Sequence, residues 1–427
     1  MKTDADAIIV GAGPAGSAVA HYLANEGFSV IALEKARFPR DKVCGDGLTP
    51  RAVRELALMG LATPESEGWV RNKGLRIIGG GHRLEFPWIP SASFPGYGLT
   101  LPRAQFDHLL AKHARATGAD VREGVAVEGL VHDERTGRAV GVTARDTDEK
   151  GRKVGAAVTY RAPLVIACDG VSSRIATGEG IVRKKGRPIG VAVRTYFRVD
   201  RPRDDWMEGH LELWSGAAGK SKLLPGYGWI FTVGEGLVNV GLGTLSGRGK
   251  PLGLDHRAML EEFVKNTAGE WGFTEGDRAG ETLGSAIPMA FSRQPHYRDG
   301  LMLVGDSGGM VNPFNGEGIA YAMQAARRAT EAAVAAREAT NDRERERALA
   351  GYARHMKADL GGYYSMGRVF AALIEHPSVM RACTKYGLPR PTIMWITHKL
   401  LSDVYEPHGG DWADRMLATM ARVAPKA

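Results

Sequence analysis

Residues 6 to 35 read "DAIIVGAGPAGSAVAHYLANEGFSVIALEK" and leave the chain little freedom of fold. The apolar run "DAIIV" has the length and composition of a buried strand. "GAGPAG" follows at once. "SAVAHYLANEG" then reads as a helix with Ala18 and Leu23 on its packed side and Gly27 past its end. "FSVIALEK" is a second strand, closing on Glu34 and Lys35. The glycines have separate tasks. Gly11 turns the chain tightly, Gly13 lets the backbone approach a pyrophosphate, and Gly16 lets the helix pack close to the strand. Phosphates would rest at the helix N-terminus around Ala15, where N–H groups are free and the dipole is positive. Glu34 is then placed to accept ribose hydroxyls, with Lys35 beside it. The alternative is a glycine-rich structural turn; the strand–turn–helix setting favours a dinucleotide.

Residues 7 to 24 carry no formal charge and match a membrane span in length, but the internal Gly-Pro and the strand-like start argue against one. No transmembrane helix is expected anywhere. Asp4 and Asp6 and the lack of a cleavage pattern argue against a secretory signal. Cys44, Cys168 and Cys383 lie far apart, so neither a metal site nor a disulfide framework is expected, and a reducing cytoplasm is the default. The net charge of +8 is spread along the chain. Its densest run, "VRKKGR" at 182 to 187, lacks interleaved aromatics and reads as a solvated loop, so nucleic acid is not expected as a partner. A mild positive balance suits an anionic cofactor or an anionic membrane surface.

Two distant segments choose the dinucleotide. "APLVIACDGVSSRIA", 162 to 176, is a buried strand running into a turn that carries Asp169. "DGLMLVGDSGGMVNPFNGEGIAYAMQAARR", 299 to 328, is a strand ending at Asp306, then a loop, then a long helix. Asp306 at a strand end can bind a ribityl or ribose hydroxyl. "GEGIA" offers backbone N–H groups from Gly316, Gly318 and Ile319 at a helix start, suited to the electron-accepting edge of an isoalloxazine ring. A simple nicotinamide fold has no need of this late element.

Taken together, "GAGPAG", "CDG" and "GDSGGMVNPFNGEGI" resemble the three fingerprints of the FAD-dependent oxidoreductases of the p-hydroxybenzoate hydroxylase superfamily. The resemblance implies FAD as cofactor, contacts from Arg103 in "LPRAQFDHLLAKHA" and from Val127, and an α/β fold. That fold is a Rossmann-like FAD-binding domain with an inserted antiparallel-sheet substrate domain and a C-terminal helical region. The expected division is 1–72, 95–175 and 294–345 for the FAD-binding domain, 73–94 and 176–293 for the substrate sheet, and 346–427 for the helical region. Strands of the second sheet are expected at 73–94, 187–198, 208–215, 227–245 and 281–291.

Within that superfamily, "PRDKVCGDGL" resembles the loop of the geranylgeranyl reductase family, matching at Pro39, Lys42, Cys44 and Gly45. This resemblance places Cys44, Gly45 and Gly47 beside the flavin. The family's Tyr-x-Trp-x-Phe-Pro motif is matched by Tyr227, Trp229 and Phe231, but Thr232 stands where the proline is expected. Three alternating aromatics project to one face of a strand and form an apolar wall suited to a polyprenyl chain. On residues alone the favoured reading is that they fill a core between sheet and helices. Cys44 has three readings: a packing residue, a backbone support for the flavin, or a thiol proton donor. Tyr227 is the second candidate donor, and an ordered water the third.

The implied reaction is reduction of an isoprenoid C=C bond by hydride from flavin N5. NADPH or another donor would supply electrons, since no second glycine-cornered strand–turn–helix is present. Among the family's substrates, a menaquinone-type or free polyprenyl chain is favoured, because no plant-type or archaeal cue appears. Rival readings are an FAD-dependent aromatic monooxygenase and a non-catalytic prenyl-lipid carrier. A halogenase would show two tryptophans two residues apart, and no pair here is so spaced. Residues 317 to 358 read as one or two helices broken near "TNDRER". "RPTIMWITHKLLSDVY", 390 to 405, reads as a helix with an Ile393, Ile396, Leu400, Leu401 and Val404 stripe. It either caps a substrate tunnel or lies on a membrane surface as a peripheral contact, and the two are compatible. The oligomeric state is left open.

Overall fold

The computed structural model describes residues 3–200, 204–234, 236–246, 253–406 and 409–425. A six-stranded sheet runs in the order Tyr297–Arg298, Leu301–Leu303, Leu164–Ala167, Ala7–Val10, Val30–Glu34, Asp120–Glu123. All its pairings are parallel except the first. The strand "AIIV" is apolar throughout because both of its faces are covered. Ala7 and Ile9 pack into a helical layer containing Ala18, Leu23, Phe106 and Ala326. Ile8 and Val10 pack on the opposite side against Val142, Ala144 and Ile175. That opposite layer is a three-stranded antiparallel sheet of Val125–His132, Ala139–Thr147 and Lys153–Arg161.

The helix Pro14–Asn25 crosses the turn before it with no room to spare. A Cβ on Gly16 would sit 1.8 Å from the Gly11 carbonyl oxygen, so only glycine lets the two meet.

The second sheet has seven strands, in the order Leu283–Pro288, Ile189–Arg198, Leu237–Ser246, Tyr227–Gly234, Trp206–His210, Gly74–Gly79, His82–Pro87. The expected 73–94 and 227–245 segments are each a hairpin, and 208–215 divides into Trp206–His210 and the short Leu213–Trp214. The helix His256–Trp271 covers one face, where Leu260, Phe263 and Val264 meet Ile230, Val240 and Leu242. Alternation along the Tyr227–Gly234 strand therefore turns Tyr227, Trp229 and Phe231 to the other face. Thr232 pairs with Val238, so this strand runs on to Gly234, past the position where the family motif has proline.

The helices Ile319–Arg337 and Asp342–Ile374 are separated at 338–341, and Asn341 caps the second by accepting from the Glu344 N–H. The second continues sixteen residues past the expected 358. After it come Pro377–Ala382, a π-helical turn at Cys383–Gly387, Pro391–Ser402 and Trp412–Val423. The expected apolar stripe on Pro391–Ser402 is half-buried, with Leu400 and Leu401 packed against the core. Met394, His398 and Ser402 face inward, while Ile393 is 44% exposed. The His398 ring stacks on Trp88 and Phe86. Burial lowers the His398 pKa to about 4, so it packs as a neutral ring. Among the described residues no helix is long and apolar enough to cross a membrane.

Candidate functional site

A cavity of about 750 Å³ lies between the turn end of the first sheet and the aromatic face of the second. Its polar end is lined by Gly11, Gly13, Ala15, Glu34, Lys35, Arg103, Val127, Asp169 and Asp306. Cys44, Gly45, Gly47, Tyr227, Trp229, Phe231, Gly316, Gly318 and Ile319 also line it. Gly16 is the one expected cofactor residue that does not, since it is used in the helix–turn crossing.

Local chemistry at the polar end fits FAD. No side chain caps the Pro14–Asn25 helix at Gly13, so its first N–H groups are left for a phosphate. A Cβ on Gly11 would lie 2.6 Å from the Cys168 carbonyl, and its φ of +93° suits glycine alone. Glu34 is fixed by accepting from the N–H groups of Ala12 and Ala36, at 2.9 and 3.0 Å. Its remaining lone pairs suit ribose hydroxyls. Asp169 accepts from the Ile175 N–H through Oδ2, while its buried Oδ1 has no partner among the described residues and is available to a ligand. Arg103 is held by a bidentate pair with Asp107, at 2.7 and 2.9 Å, and Asp107 also takes Arg40 at 2.7 Å. Burial raises the pKa of Asp306, opposed by the positive Lys42 and Arg103 nearby.

In the middle of the cavity the loop of Cys44 is fastened to the aromatic wall by two residues that sequence reasoning missed. Asp46, at φ +63°, accepts from Tyr196 Oη at 2.6 Å, Asn239 Nδ2 at 2.7 Å and the Arg103 N–H at 3.2 Å. Burial pushes its pKa up to about 6, against the pull of those hydrogen bonds and of Arg194 and Arg103. Asn239 also donates to the Cys44 carbonyl at 2.8 Å and accepts from Trp229 Nε1 at 2.8 Å. A lone asparagine in the apolar strand "LVNVGLG" was the available signal, because a buried amide must find partners. The wall itself needs small neighbours: a Cβ on Gly241 would meet the Trp229 ring at 2.2 Å, and one on Gly45 would meet it at 3.2 Å.

The two expected donors are placed as follows. Cys44 lies beside Arg103; burial raises its pKa and the arginine partly offsets this. Tyr227 donates its hydroxyl proton to the Asn315 carbonyl, and burial raises its pKa strongly. A third acid, Glu317, lines the same region. Thr49 Oγ1 donates to both of its carboxyl oxygens, at 2.9 and 3.0 Å. Beyond Tyr227 the walls are mainly apolar, with Leu75, Ile77, Phe370, Leu388, Met394 and Leu401 beside the hydroxyls of Thr397 and Ser402.

A family model described as "FAD binding domain" matches residues 4–228, more than half of the chain. A menaquinone reductase of Mycolicibacterium smegmatis is 34% identical, over 98% of this chain and 96% of the relative. The chain belongs to this family of FAD-dependent oxidoreductases. Farther off in the family, a digeranylgeranylglycerophospholipid reductase of Methanosarcina acetivorans is 31% identical over 78% of this chain and 76% of the relative. The fold is shared with a solved geranylgeranyl bacteriochlorophyll reductase-like protein from Thermoplasma acidophilum, with a TM-score of 0.70 and 23% identity over 93% of this chain and 99% of that one.

Proposed function

We propose that this chain reduces C=C bonds of a polyisoprenoid lipid, with a menaquinone-type side chain as the favoured substrate. The observation that carries the reading is the cavity's change of character along its length. Its FAD end is lined by carboxylates, cations and a free helix N-terminus, and its far end by aliphatic and aromatic side chains. A chain of methyls and π bonds loses nothing on entering such a slot, whereas a polar aromatic acid would leave its hydrogen-bonding groups unpaired. The menaquinone reductase relative at 34% identity supports the same substrate class.

When bound, reduced flavin supplies the hydride. The protein's part is to position and to exclude. Gly13, Ala15, Glu34, Asp169 and Asp306 would hold the dinucleotide, with Arg103 and the Cys44–Gly47 loop beside the ring. Trp229 and Phe231, pressed against Gly45, would hold the alkene in near-attack geometry. The surrounding apolar wall keeps water from the carbon on which positive character develops, and the aromatic faces stabilise that charge. Electrons would come from NADPH or a comparable donor. Cys44 and Tyr227 shape the reacting region.

Lipid entry fits the distal end of the cavity. The segments that line it there, from Phe370 to Met394, also expose Leu373, Tyr386 and Ile393 and carry Arg381, Lys385 and Arg390. Exposed apolar side chains among basic ones suit the surface of an anionic bilayer. Anaerobic incubation of the reduced enzyme with polyprenyl quinones and polyprenyl diphosphates, followed by mass measurement, tests the function. A gain of two hydrogens supports it, and oxygen incorporated into an aromatic acceptor points instead to the monooxygenase.

A further inference from the structure

Reducing an isolated, electron-rich alkene needs an acid as well as a hydride, and the expected donors are poorly arranged for that task. Tyr227 already spends its one proton on the Asn315 carbonyl. Cys44 is a buried thiol whose pKa is raised, so it is a weak acid. We propose that Glu317, held by Thr49, is the residue that delivers the proton to the alkene. This rests on the reading of the chain as a polyisoprenoid reductase.

Glu317 faces the cavity from the start of the Ile319–Arg337 helix, between Gly316 and Gly318. It is fixed at both ends. Its N–H donates to Asn315 Oδ1 at 2.9 Å, its carbonyl accepts from the Asn312 N–H at 2.9 Å, and its carboxyl accepts from Thr49 Oγ1. The hydrogen bond from Tyr227 to Asn315 ties the same segment to the aromatic wall. Tyr227 thus positions the acid.

Among the described residues no ion pair reaches the Glu317 carboxyl. Arg51, two residues beyond Thr49, is the nearest natural partner, but it is committed to Asp403 at 3.0 Å and to Gln324 at 3.1 Å. The groups that face Glu317 are therefore Arg51, which favours its ionised form, Asp403, which opposes it, the hydroxyls of Thr49, Tyr227 and Tyr364, and the Asn315 amide. Burial outweighs them all and lifts the Glu317 pKa to about 7. A carboxyl poised there is protonated for much of the time near neutrality and is a far stronger acid than the buried phenol or thiol beside it.

The step balances. The alkene π pair takes the carboxyl proton and forms one C–H bond, leaving positive character on the more substituted carbon. Hydride from reduced flavin forms the second C–H bond. The products are a saturated unit, oxidised flavin and the Glu317 carboxylate. The carboxylate regains a proton from solvent, and the electron donor restores the flavin.

Glu317→Gln and Glu317→Asp test this in the FAD-loaded protein. Infrared difference spectra of the wild type across a pH titration should show a protonated carboxyl that ionises near the expected pKa of about 7, and Glu317→Gln should lack that band. The pre-reduced enzymes are then mixed anaerobically with a polyprenyl menaquinone. Glu317→Gln should bind FAD and the lipid as the wild type does. Its transfer of hydrogen into the isoprenoid chain, read by mass after the quinone head is reoxidised, should be slower by about 10²–10⁴-fold, with the basic limb of the pH profile lost. Glu317→Asp, which keeps a carboxyl, should retain part of the rate and the limb. The proposal is overturned if Glu317→Gln keeps the wild-type rate and pH profile, or if the band that ionises near 7 survives in it beside the separate band of Asp46, expected near 6. If the wild type itself adds no hydrogen to the lipid, the polyisoprenoid reading fails and this inference falls with it.

Discussion

At the scale of single residues, burial decides which polar groups are chemically distinctive. Glu317 is an ordinary carboxyl in sequence; burial, outweighing the pull of Thr49 and Arg51, lifts it from 4.5 to about 7. Between those values the folded protein keeps a proton that the unfolded chain has released, so stability falls as pH rises through that window. Glu317→Gln removes the effect. Its urea midpoint should exceed that of the wild type above pH 7, and the gap should close as pH falls through the ordinary carboxylate range. Tyr227→Phe offers a contrast. It leaves the Asn315 carbonyl without its donor, a loss of about 1–3 kcal/mol in denaturant unfolding, and loosens the segment that holds Glu317, so kcat should fall while the basic limb of the pH profile, set by Glu317, stays. The glycines and Glu34 were legible because backbone contact with a dinucleotide dictates residue type. Asp46, Asn239 and Glu317 were not, because their roles depend on neighbours about 150 to 270 residues away in the chain.

At the scale of elements, small residues set how closely strands and helices approach. The wall of Tyr227, Trp229 and Phe231 exists because Ile230 faces the helical layer and Gly241 leaves space for the indole. Gly241→Ala forces a Cβ into that ring. It should shift the Trp229 fluorescence, cost about 1–3 kcal/mol, and weaken lipid binding more than FAD binding. Gly11→Val should abolish FAD retention, seen as loss of the yellow chromophore on purification, since the turn has both the wrong φ and no space for a side chain. The strands of the second sheet were readable from short apolar runs. The three-stranded sheet at 125–161 was not, because the outer strand Lys153–Arg161 is exposed almost throughout and lacks a clear apolar period. On Pro391–Ser402 periodicity located the helix but not its most buried positions, Met394, His398 and Ser402.

At the scale of the whole molecule, sheets built from segments far apart in sequence enclose one cavity whose ends differ in polarity. That arrangement needs strands from before and after the inserted segments, which local patterning indicates only through fingerprints at 11–16, 168–170 and 305–319. The distal rim should bring the protein to anionic vesicles. Paired Leu373→Asp and Ile393→Asp changes should abolish cosedimentation with them, and raised salt should weaken it, each basic side chain near the surface contributing about 1 kcal/mol. The most direct test of the central claim is the mass of a polyprenyl menaquinone after anaerobic incubation with the dithionite-reduced enzyme. The account requires a gain of two hydrogens per reduced bond, located in the isoprenoid chain. An unchanged chain together with an oxygenated aromatic product from an aerobic control would contradict it.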